Sequence, residues 1–372
     1  MKILYTIAGL YRPAGMERIL TDKANYLAAH GYDVTIVTTE QKGRPEAFPL
    51  HPAIHRADLA IGYEDNNGAS FSDKLLHYFG KRRAHRRALS LLLDELRPDV
   101  CVSLFDGDER FLYKMKDSSK KVLEIHFSRF KRLQYGRRGI WALADRIRSR
   151  QDGRLVRRYD RFVVLTVEDL GYWGRPANAC VIPNFLGSLP EEPAALGRRT
   201  MLAVGRYDYQ KGYERLIAAW AKLPAGHRWK LRLVGDGPLR EALQQQVAEL
   251  GVQSSVFIDK THKNMDAVYR EASIFALSSR YEGLPMVLLE AQAYGLPIVA
   301  FDCKCGPADV VEDGVDGLLV PEGDTDALSA ALWKLMDTPS LRKEMGGKAR
   351  ERAARWDKEK IMQKWTELFA CI

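Results

Sequence analysis

Arg280-Tyr281-Glu282-Gly283-Leu284-Pro285-Met286-Val287-Leu288-Leu289-Glu290-Ala291 decides the fold. Ser273-Ile274-Phe275-Ala276-Leu277 precedes it as a short buried strand, and Pro297-Ile298-Val299-Ala300 follows as the next. Pro285 can start a helix between them, because the first helical turn needs no N–H from it. Strand, loop, helix and strand form a unit of the kind whose ligands bind at the carboxyl ends of the strands. The free N–H groups opening the helix suit a phosphate. Two glutamates eight positions apart mark the stretch, Glu282 in the loop and Glu290 on the helix. An ordinary βαβ junction with a capped helix reads the same way, so the rest of the chain has to decide.

The pattern repeats on both sides. Strand-like runs at 201–204, 230–234, 256–258, 274–277, 298–300 and 318–319 alternate with helical stretches at 213–223, 239–250, 264–269, 286–294 and 325–336. Such alternation gives an α/β fold with a doubly wound parallel sheet and right-handed crossovers. Gly205-Arg206-Tyr207-Asp208-Tyr209-Gln210-Lys211-Gly212 follows the first of these strands. Arg206 and Lys211 on one loop beside a helix start have the chemistry of a diphosphate clamp, with arginine as a fork and lysine as a mobile point charge. Any two basic loop residues look similar. Gly235-Asp236-Gly237-Pro238 repeats the strand–glycine–helix logic, and a Walker A sequence is absent. A carboxylate at Glu290 suits ribose hydroxyls, and one at Glu282 suits sugar hydroxyls.

The first half has the same grammar. Residues 2–8 read as a strand, a loop containing Gly15 leads into a helix ended by Gly31, and 33–39 is the second strand. No G-x-G-x-x-G is present, so a dinucleotide fingerprint is missing. Gly15 fits a backbone passing close to a ligand, or a plain turn. Residues 40–73 are loop-rich; 74–96 is helical and carries Lys81-Arg82-Arg83-Ala84-His85-Arg86-Arg87. The strand at 100–104 precedes Asp106-Gly107-Asp108, which invites a metal–nucleotide reading but is equally an acidic turn. The strand at 121–125 ends in His126, within a ligand's reach or simply packed. Strands at 161–166 and 179–182 close this half. Three prolines and a glycine in 183–193 mark the boundary to the second sheet. Two sheets so joined leave a cleft that excludes water from a transfer reaction.

The 372 residues, 46% hydrophobic and 28% charged, suit two folded domains. No apolar run of about 18 residues exists to span a membrane, and residues 1–8 look like a strand rather than a signal peptide. Five cysteines, odd in number and mostly dispersed, fit a reducing cytoplasm, and Cys303 with Cys305 alone does not make a zinc site. A net charge of +9 points to an anionic partner. Residues 129–158 hold 11 Lys and Arg against Asp145 and Asp152, interleaved with Phe130, Leu133, Tyr135, Ile140, Trp141, Leu143, Ile147, Leu155 and Val156. That mixture suits an anionic lipid surface or a solvated helix face. No recognisable nucleic-acid motif supports specific nucleic-acid binding. The helical end carries Trp356, Trp365 and Phe369 as anchors.

Taken in order, Gly15-Met16-Glu17, His126, Ile182-Pro183-Asn184, Val204-Gly205-Arg206, Gln210-Lys211-Gly212, Gly235-Asp236-Gly237, the two glutamates Glu282 and Glu290, and Asp313-Gly314-Val315-Asp316-Gly317-Leu318-Leu319-Val320-Pro321 make the sequence resemble the retaining glycosyltransferases of family 4. The resemblance implies the GT-B architecture: two Rossmann-like domains at 1–185 (acceptor side) and 195–355 (donor side), with 356–372 crossing back to the first. It implies that Arg206 and Lys211 bind the donor diphosphate and that Glu282 and His126 lie at the transferred sugar. Glu290 would contact the ribose, and Gly15 would approach the diphosphate. Gly205, Gly235, Gly283, Leu284, Pro285, Met286, Val287 and Leu288 would line the donor site. Ala14 departs from the family's usual first glycine.

The implied substrate is a nucleotide sugar, a UDP-sugar by family frequency, with GDP-mannose or ADP-glucose as alternatives. No cofactor and no metal is implied, and Asp106-Gly107-Asp108 is expected to be structural. The expected acceptor is a saccharide or a polyprenyl-diphosphate-linked sugar in surface polysaccharide assembly, at the inner face of a cytoplasmic membrane. A phosphorylase, an epimerase or a basic nucleic-acid-binding protein are the competing readings, and the last gives no account of Glu282, Glu290, Arg206 and Lys211.

Overall fold

The computed structural model describes residues 1–66, 71–131, 133, 139–262 and 264–372. Arg132, Tyr135, Arg137 and Arg138 of the basic stretch therefore lie outside the described residues. The chain forms two compact units: Met1–Leu165 with Leu170–Ile182 and Ile361–Ile372, and Thr166–Asp169 with Pro183–Lys360.

The first unit holds a parallel sheet of seven strands: β1 (Lys2–Ile7), β2 (Asp33–Thr38), β3 (His55–Asp58), β4 (Val100–Ser103), β5 (Lys120–Glu124), β6 (Arg161–Val164) and β7 (Ala179–Val181). Their spatial order is β3-β2-β1-β4-β5-β6-β7. The second unit holds a parallel sheet of six: β8 (Thr200–Val204), β9 (Lys230–Val234), β10 (Val256–Asp259), β11 (Ile274–Leu277), β12 (Ile298–Asp302) and β13 (Gly317–Pro321), ordered β10-β9-β8-β11-β12-β13. Each sheet reverses its order once, between β1 and β4 and between β8 and β11. At such a point the crossovers leave in opposite directions, and the loops beyond the strands part.

Helices α1 (Gly15–Ala29), α2 (Phe71–Leu96), α3 (Ile140–Leu155) and α4 (Val167–Tyr172) belong to the first half of the chain. Helices α5 (Tyr213–Ala221), α6 (Arg240–Glu249), α7 (Met265–Arg270), α8 (Met286–Ala293), α9 (Pro307–Val310), α10 (Thr325–Asp337), α11 (Pro339–Ala353) and α12 (Lys358–Ala370) follow. Leu4, Val37, Leu89, Phe111 and Phe162 centre one core; Tyr207, Trp220, Leu233 and Phe301 centre the other.

Residues 40–73 are not all loop. His55–Asp58 pairs with β2 as an edge strand, and its largely exposed, charged composition hides the alternation that marks a half-buried strand. The proline-rich stretch after Ile182 is packed: Phe185 and Leu186 are buried, and the Leu186 N–H donates to the Trp356 carbonyl at 2.9 Å. Along α12, Ile361, Trp365 and Phe369 recur at helical spacing and are buried.

Helix α11 lies so close to the turn after α8 that a Cβ on Gly346 would stand 2.5 Å from the Gly295 carbonyl oxygen. A Cβ on neighbouring Gly347 would meet nothing within 4 Å. Gly346→Ala is expected to cost about 1–3 kcal/mol through overpacking. Gly347→Ala should gain about 0.5–1 kcal/mol by removing glycine from a helix interior. Urea unfolding of the two variants checks both signs.

Candidate functional site

The order reversal of the second sheet brings the loop after β8 beside the loop after β11. Gly212 sits in the left-handed region and opens α5; a Cβ there would stand 2.4 Å from the Ser278 carbonyl oxygen. Ser278 Oγ donates to the Lys211 carbonyl at 2.9 Å, and the Arg280 N–H donates to the Gln210 carbonyl at 2.8 Å. Arg280 covers the Tyr209 ring, 3.9 Å from its centroid, donates to the Tyr209 carbonyl at 2.6 Å and pairs with Glu214 on α5. The two loops are fastened along their length.

Glu282 is what they enclose. Its carboxylate, with the residue 5% exposed, accepts from Lys211 Nζ at 2.7 Å, Ser279 Oγ at 2.6 Å and Gln210 Nε2 at 3.2 Å. A buried carboxylate needs a cation and filled lone pairs, and these three donors supply both. Arg206 behaves differently: its side chain is 76% exposed, with Nε 3.6 Å from Asp208. Arg206 and Lys211 thus share a loop without acting as one fork. The arginine projects into solvent, whereas the lysine is held by Glu282 instead of being the mobile charge its sequence setting suggests.

Pro285 is the N-cap of α8, one position earlier than a first helical residue, and no side chain caps the first turn, which also lacks an acid. Its leading N–H groups keep their partial positive charge. Leu284, Pro285 and Leu288 are buried, while Gly283, Met286 and Val287 are half-buried. One turn into the helix, Glu290 accepts from Tyr269 Oη at 2.6 Å, and the Tyr269 ring is stacked on Tyr294. Gly235 has a packing role. A Cβ on it would stand 1.9 Å from the Gly205 carbonyl oxygen, and one on Gly237 would stand 2.5 Å from that of Tyr207.

In the first unit Gly15 opens α1, and a Cβ there would meet no atom within 4 Å. His126 Nε2 is 3.0 Å from Glu124 Oε1. Glu124 is fully buried and also pairs with Lys23, itself fully buried. The lysine ammonium lies 3.9 Å from the Trp365 ring centroid and 5.1 Å from that of Tyr5. Burial pushes the Glu124 carboxyl up, but Lys23 and then His126 outweigh it and hold it at about 2. Burial pulls Lys23 down against the pull of Glu124.

Both aspartates of Asp106-Gly107-Asp108 are engaged by this unit. Asp106 accepts from the Ala8 N–H at 2.7 Å; Asp108 accepts from Thr6 Oγ1 at 2.6 Å and Ser103 Oγ at 2.5 Å. Burial raises Asp108 to about 7 against those two hydrogen bonds. Among the described residues no group of three or more His, Cys, Asp or Glu side chains is arranged to hold a metal ion.

Sequence reasoning assigned no role to Gln210, Ser279, Tyr269, Glu124 or Lys23. Gln210 lay inside a quoted motif, and Glu124 stands two positions before His126, the spacing that puts strand side chains on one face. Ser279 stands three positions before Glu282 in the same loop, whereas nothing local marks Tyr269 or Lys23, whose partners come from other segments.

Two family models match the chain in tandem: "Glycosyltransferase Family 4" over residues 13–186 and "Glycosyl transferases group 1" over 189–352. The chain belongs to the family 4-type glycosyltransferases. It is similar to the amylovoran biosynthesis glycosyltransferase AmsD of Erwinia amylovora, 27% identical over 99% of both chains. A second relative is the GalNAc-alpha-(1->4)-GalNAc-alpha-(1->3)-diNAcBac-PP-undecaprenol alpha-1,4-N-acetyl-D-galactosaminyltransferase of Campylobacter jejuni, 26% identical over 100% of this chain and 98% of that one. In fold it is similar to sucrose-phosphate synthase from Thermosynechococcus elongatus, with a TM-score of 0.81 at 21% identity, covering 100% of both chains. The glycosyltransferase fold of two parallel-sheet Rossmann-like domains is the one implied by the sequence.

The Lys23–Glu124 pair makes a pH prediction. Glu124 is held lower in the folded chain than in the unfolded one, so its contribution is complete above the unfolded pKa and is lost as pH falls toward about 2. Glu124→Gln strands the Lys23 charge and is expected to cost about 3 kcal/mol at pH 7. The gap from wild type should close as pH falls from about 5 to 2. Urea unfolding across that range measures it, and a gap independent of pH would rule the pair out as its source.

Proposed function

We propose that this glycosyltransferase retains anomeric configuration, taking its sugar from a nucleotide diphosphate donor, a UDP-sugar in the first instance. The acceptor is a saccharide or lipid-linked oligosaccharide of a surface polysaccharide. The observation that carries the donor assignment is the fastened pair of loops at the second sheet's order reversal. It places exposed Arg206 on the loop that carries Lys211, and buried Glu282 just before an uncapped helix N-terminus. In the proposed reaction the bond from the anomeric carbon to the donor's phosphate oxygen breaks, and a bond to an acceptor hydroxyl oxygen forms on the same face. The hydroxyl proton passes to the departing phosphate. The charge that develops there is what Arg206, Lys211 and the α8 N-terminus would stabilise. Glu282 would meet the sugar and Glu290 the ribose. No metal is assigned a role.

Helix α3 supports a membrane-facing role. It buries Asp145, Ser149 and Asp152 and exposes Trp141, Leu143 and Ile147. Arg110 reaches Asp152 at 3.1 Å and Arg129 reaches the Ser149 carbonyl at 2.6 Å, which satisfies the polar inner face. Leu143 and Ile147 then share their outward side with exposed Arg146, Arg150 and Arg154. Cations around exposed apolar side chains suit an anionic lipid surface. No described helix is long and apolar enough to cross a membrane, so we propose peripheral contact.

Calorimetric titration with UDP-, GDP-, ADP- and TDP-sugars tests the donor. A UDP-sugar is expected to bind with chelator present, and both Arg206→Ala and Lys211→Ala should weaken it by about tenfold or more, the scale of a lost charge-assisted contact. Preference for GDP-mannose would reassign the donor; no binding, or indifference to both substitutions, defeats the site. The anomeric configuration of the product, read by NMR, tests retention. In flotation assays the chain should rise with anionic vesicles at low salt, less so at high salt, and several-fold less as the Leu143→Ser/Ile147→Ser double variant. Equal binding by the variant would remove α3 from the interface.

A further inference from the structure

The first unit carries a groove of about 330 Å³ whose lining has a single sign of charge. Arg82 comes from α2, Arg110 and Lys114 from the segment between β4 and β5, and Arg154 and Arg158 from the end of α3 and the turn after it. Five of the eight lining residues are therefore cationic, and none is a carboxylate. Arg154 and Arg158 stand just before β6 begins, so the groove is set on the helical flank of the sheet. It shares no residue with the loops after β8 and β11.

Local structure accounts for one of these charges and part of a second. Arg110 is matched from behind by the buried carboxylate of Asp152 at 3.1 Å and is steadied by Gln151 Oε1 at 3.2 Å. Arg154 lies in the last turn of α3, where the helix dipole offers a cation about half a charge. Among the described residues, Arg82, Lys114, Arg154 and Arg158 form no ion pair. Arg154 and Arg158 are moreover four apart on a continuous helical path, where like charges repel. A concavity lined by one sign of charge draws in counter-ions.

The floor of the groove holds the cations at its mouth. Leu155 is buried. The Arg82 guanidinium lies 6.0 Å from the Phe111 ring centroid and the Lys114 ammonium 5.3 Å from that of Tyr113, which packs against Tyr159 at 5.8 Å. Long basic side chains laid over rings cover apolar surface and leave their charged ends free for a ligand. A ligand with one negative charge would leave most of this field unmatched. A phosphomonoester or diphosphate brings about two charges or more, with oxygens for several N–H forks. Single-stranded nucleic acid needs open rings for its bases, and the Tyr113 ring is half-buried beneath Lys114. Arg154 also shares the outward side of α3 with Leu143, Ile147 and Arg150, so the groove opens beside the side proposed to meet lipid.

We propose that this groove is a phosphate site, taking a phosphomonoester or diphosphate group borne by a lipid headgroup or free in solution. It extends the peripheral contact of α3 from attraction by surface charge to recognition of one headgroup chemistry. It is separate from the donor's diphosphate, which the loops of the second unit would hold.

Two titrations of the full chain test it: one with inorganic diphosphate, the other with phosphatidylcholine vesicles. The vesicles contain either phosphatidic acid, a phosphomonoester, or enough phosphatidylglycerol, a diester, to equal its charge. Diphosphate should bind, and Arg154→Gln/Arg158→Gln should weaken it by about tenfold or more. Lys114→Gln gives the same direction if that pair fails to fold. Arg146→Gln/Arg150→Gln removes as much charge from α3 outside the groove and should change diphosphate binding by less than about twofold. If the source is a lipid, phosphatidic acid vesicles bind several-fold more tightly than phosphatidylglycerol ones, and the groove variant loses that preference. If it is a soluble phosphate, the two vesicles bind alike while diphosphate still depends on the groove. Absence of both diphosphate binding and vesicle preference overturns the site, as does binding indifferent to the groove variants or equally weakened by Arg146→Gln/Arg150→Gln. Diphosphate binding that depends on Arg206 and Lys211 instead returns it to the donor loops and also overturns the site. An oligonucleotide held by the groove residues more tightly than diphosphate overturns it in favour of nucleic acid. Nucleotide-sugar affinity should be the same in the groove variants as in the wild type. A chain whose groove binds phosphate but which binds no nucleotide sugar keeps this site and loses the donor reading.

Discussion

A carboxylate taken out of water must be met by a cation and by enough donors to fill its lone pairs. Each unit of this chain holds such a group near the carboxyl edge of its sheet. In the second, Glu282 gathers Lys211, Gln210 and Ser279 and so fastens the loops after β8 and β11. In the first, Glu124 gathers Lys23 and His126 at the end of β5. Both pairs sit near the carboxyl edge of a parallel sheet, where strand ends and helix starts converge. Loops there would otherwise be the most mobile parts of the fold. The Lys211–Glu282 pair fixes two loops and the Lys23–Glu124 pair ties a helix to a strand, each at the cost of desolvating charge, an arrangement that rewards position over raw stability.

The same economy explains the glycines. Gly212, Gly235 and Gly237 are required because neighbouring backbone comes within a bond's reach of where a side chain would begin. Their role is to bring the loops after β8, β9 and β11 into contact. Gly15 is the opposite case, open on its side-chain direction. A glycine in a ligand-binding motif therefore has two distinct physical meanings, and only its surroundings separate them.

Much of this was legible in the sequence. The alternation of apolar strands with amphipathic helices carried both sheets, and the spacing of Glu282 from Glu290 placed one in a loop and the other on a helix. What escaped had no local signal. The edge strand at His55–Asp58 is too polar to alternate. The inverted face of α3 depends on Arg110 and Arg129, which come from outside the helix and meet its buried Asp152 and Ser149. Lys23 carries no local mark of its role, which Glu124 and Trp365 supply by closing around it. Partners separated by a hundred residues or more, as Lys23 and Glu124 are, are set by topology and not by pattern.

Trp365 completes the shell around Lys23 from a segment that follows the whole of the second unit in the chain. During synthesis the first unit's strands emerge early, yet a buried lysine of that unit lacks its aromatic cover until Ile361–Ile372 arrives. Vectorial folding, in which an early domain finishes before a later one starts, is thereby reversed. The second unit has all but four of its residues in one unbroken run, Pro183–Lys360, and can close first. The first stays unfinished until Ile361–Ile372 has emerged. Its nascent form is the stage at which a chaperone has most to protect.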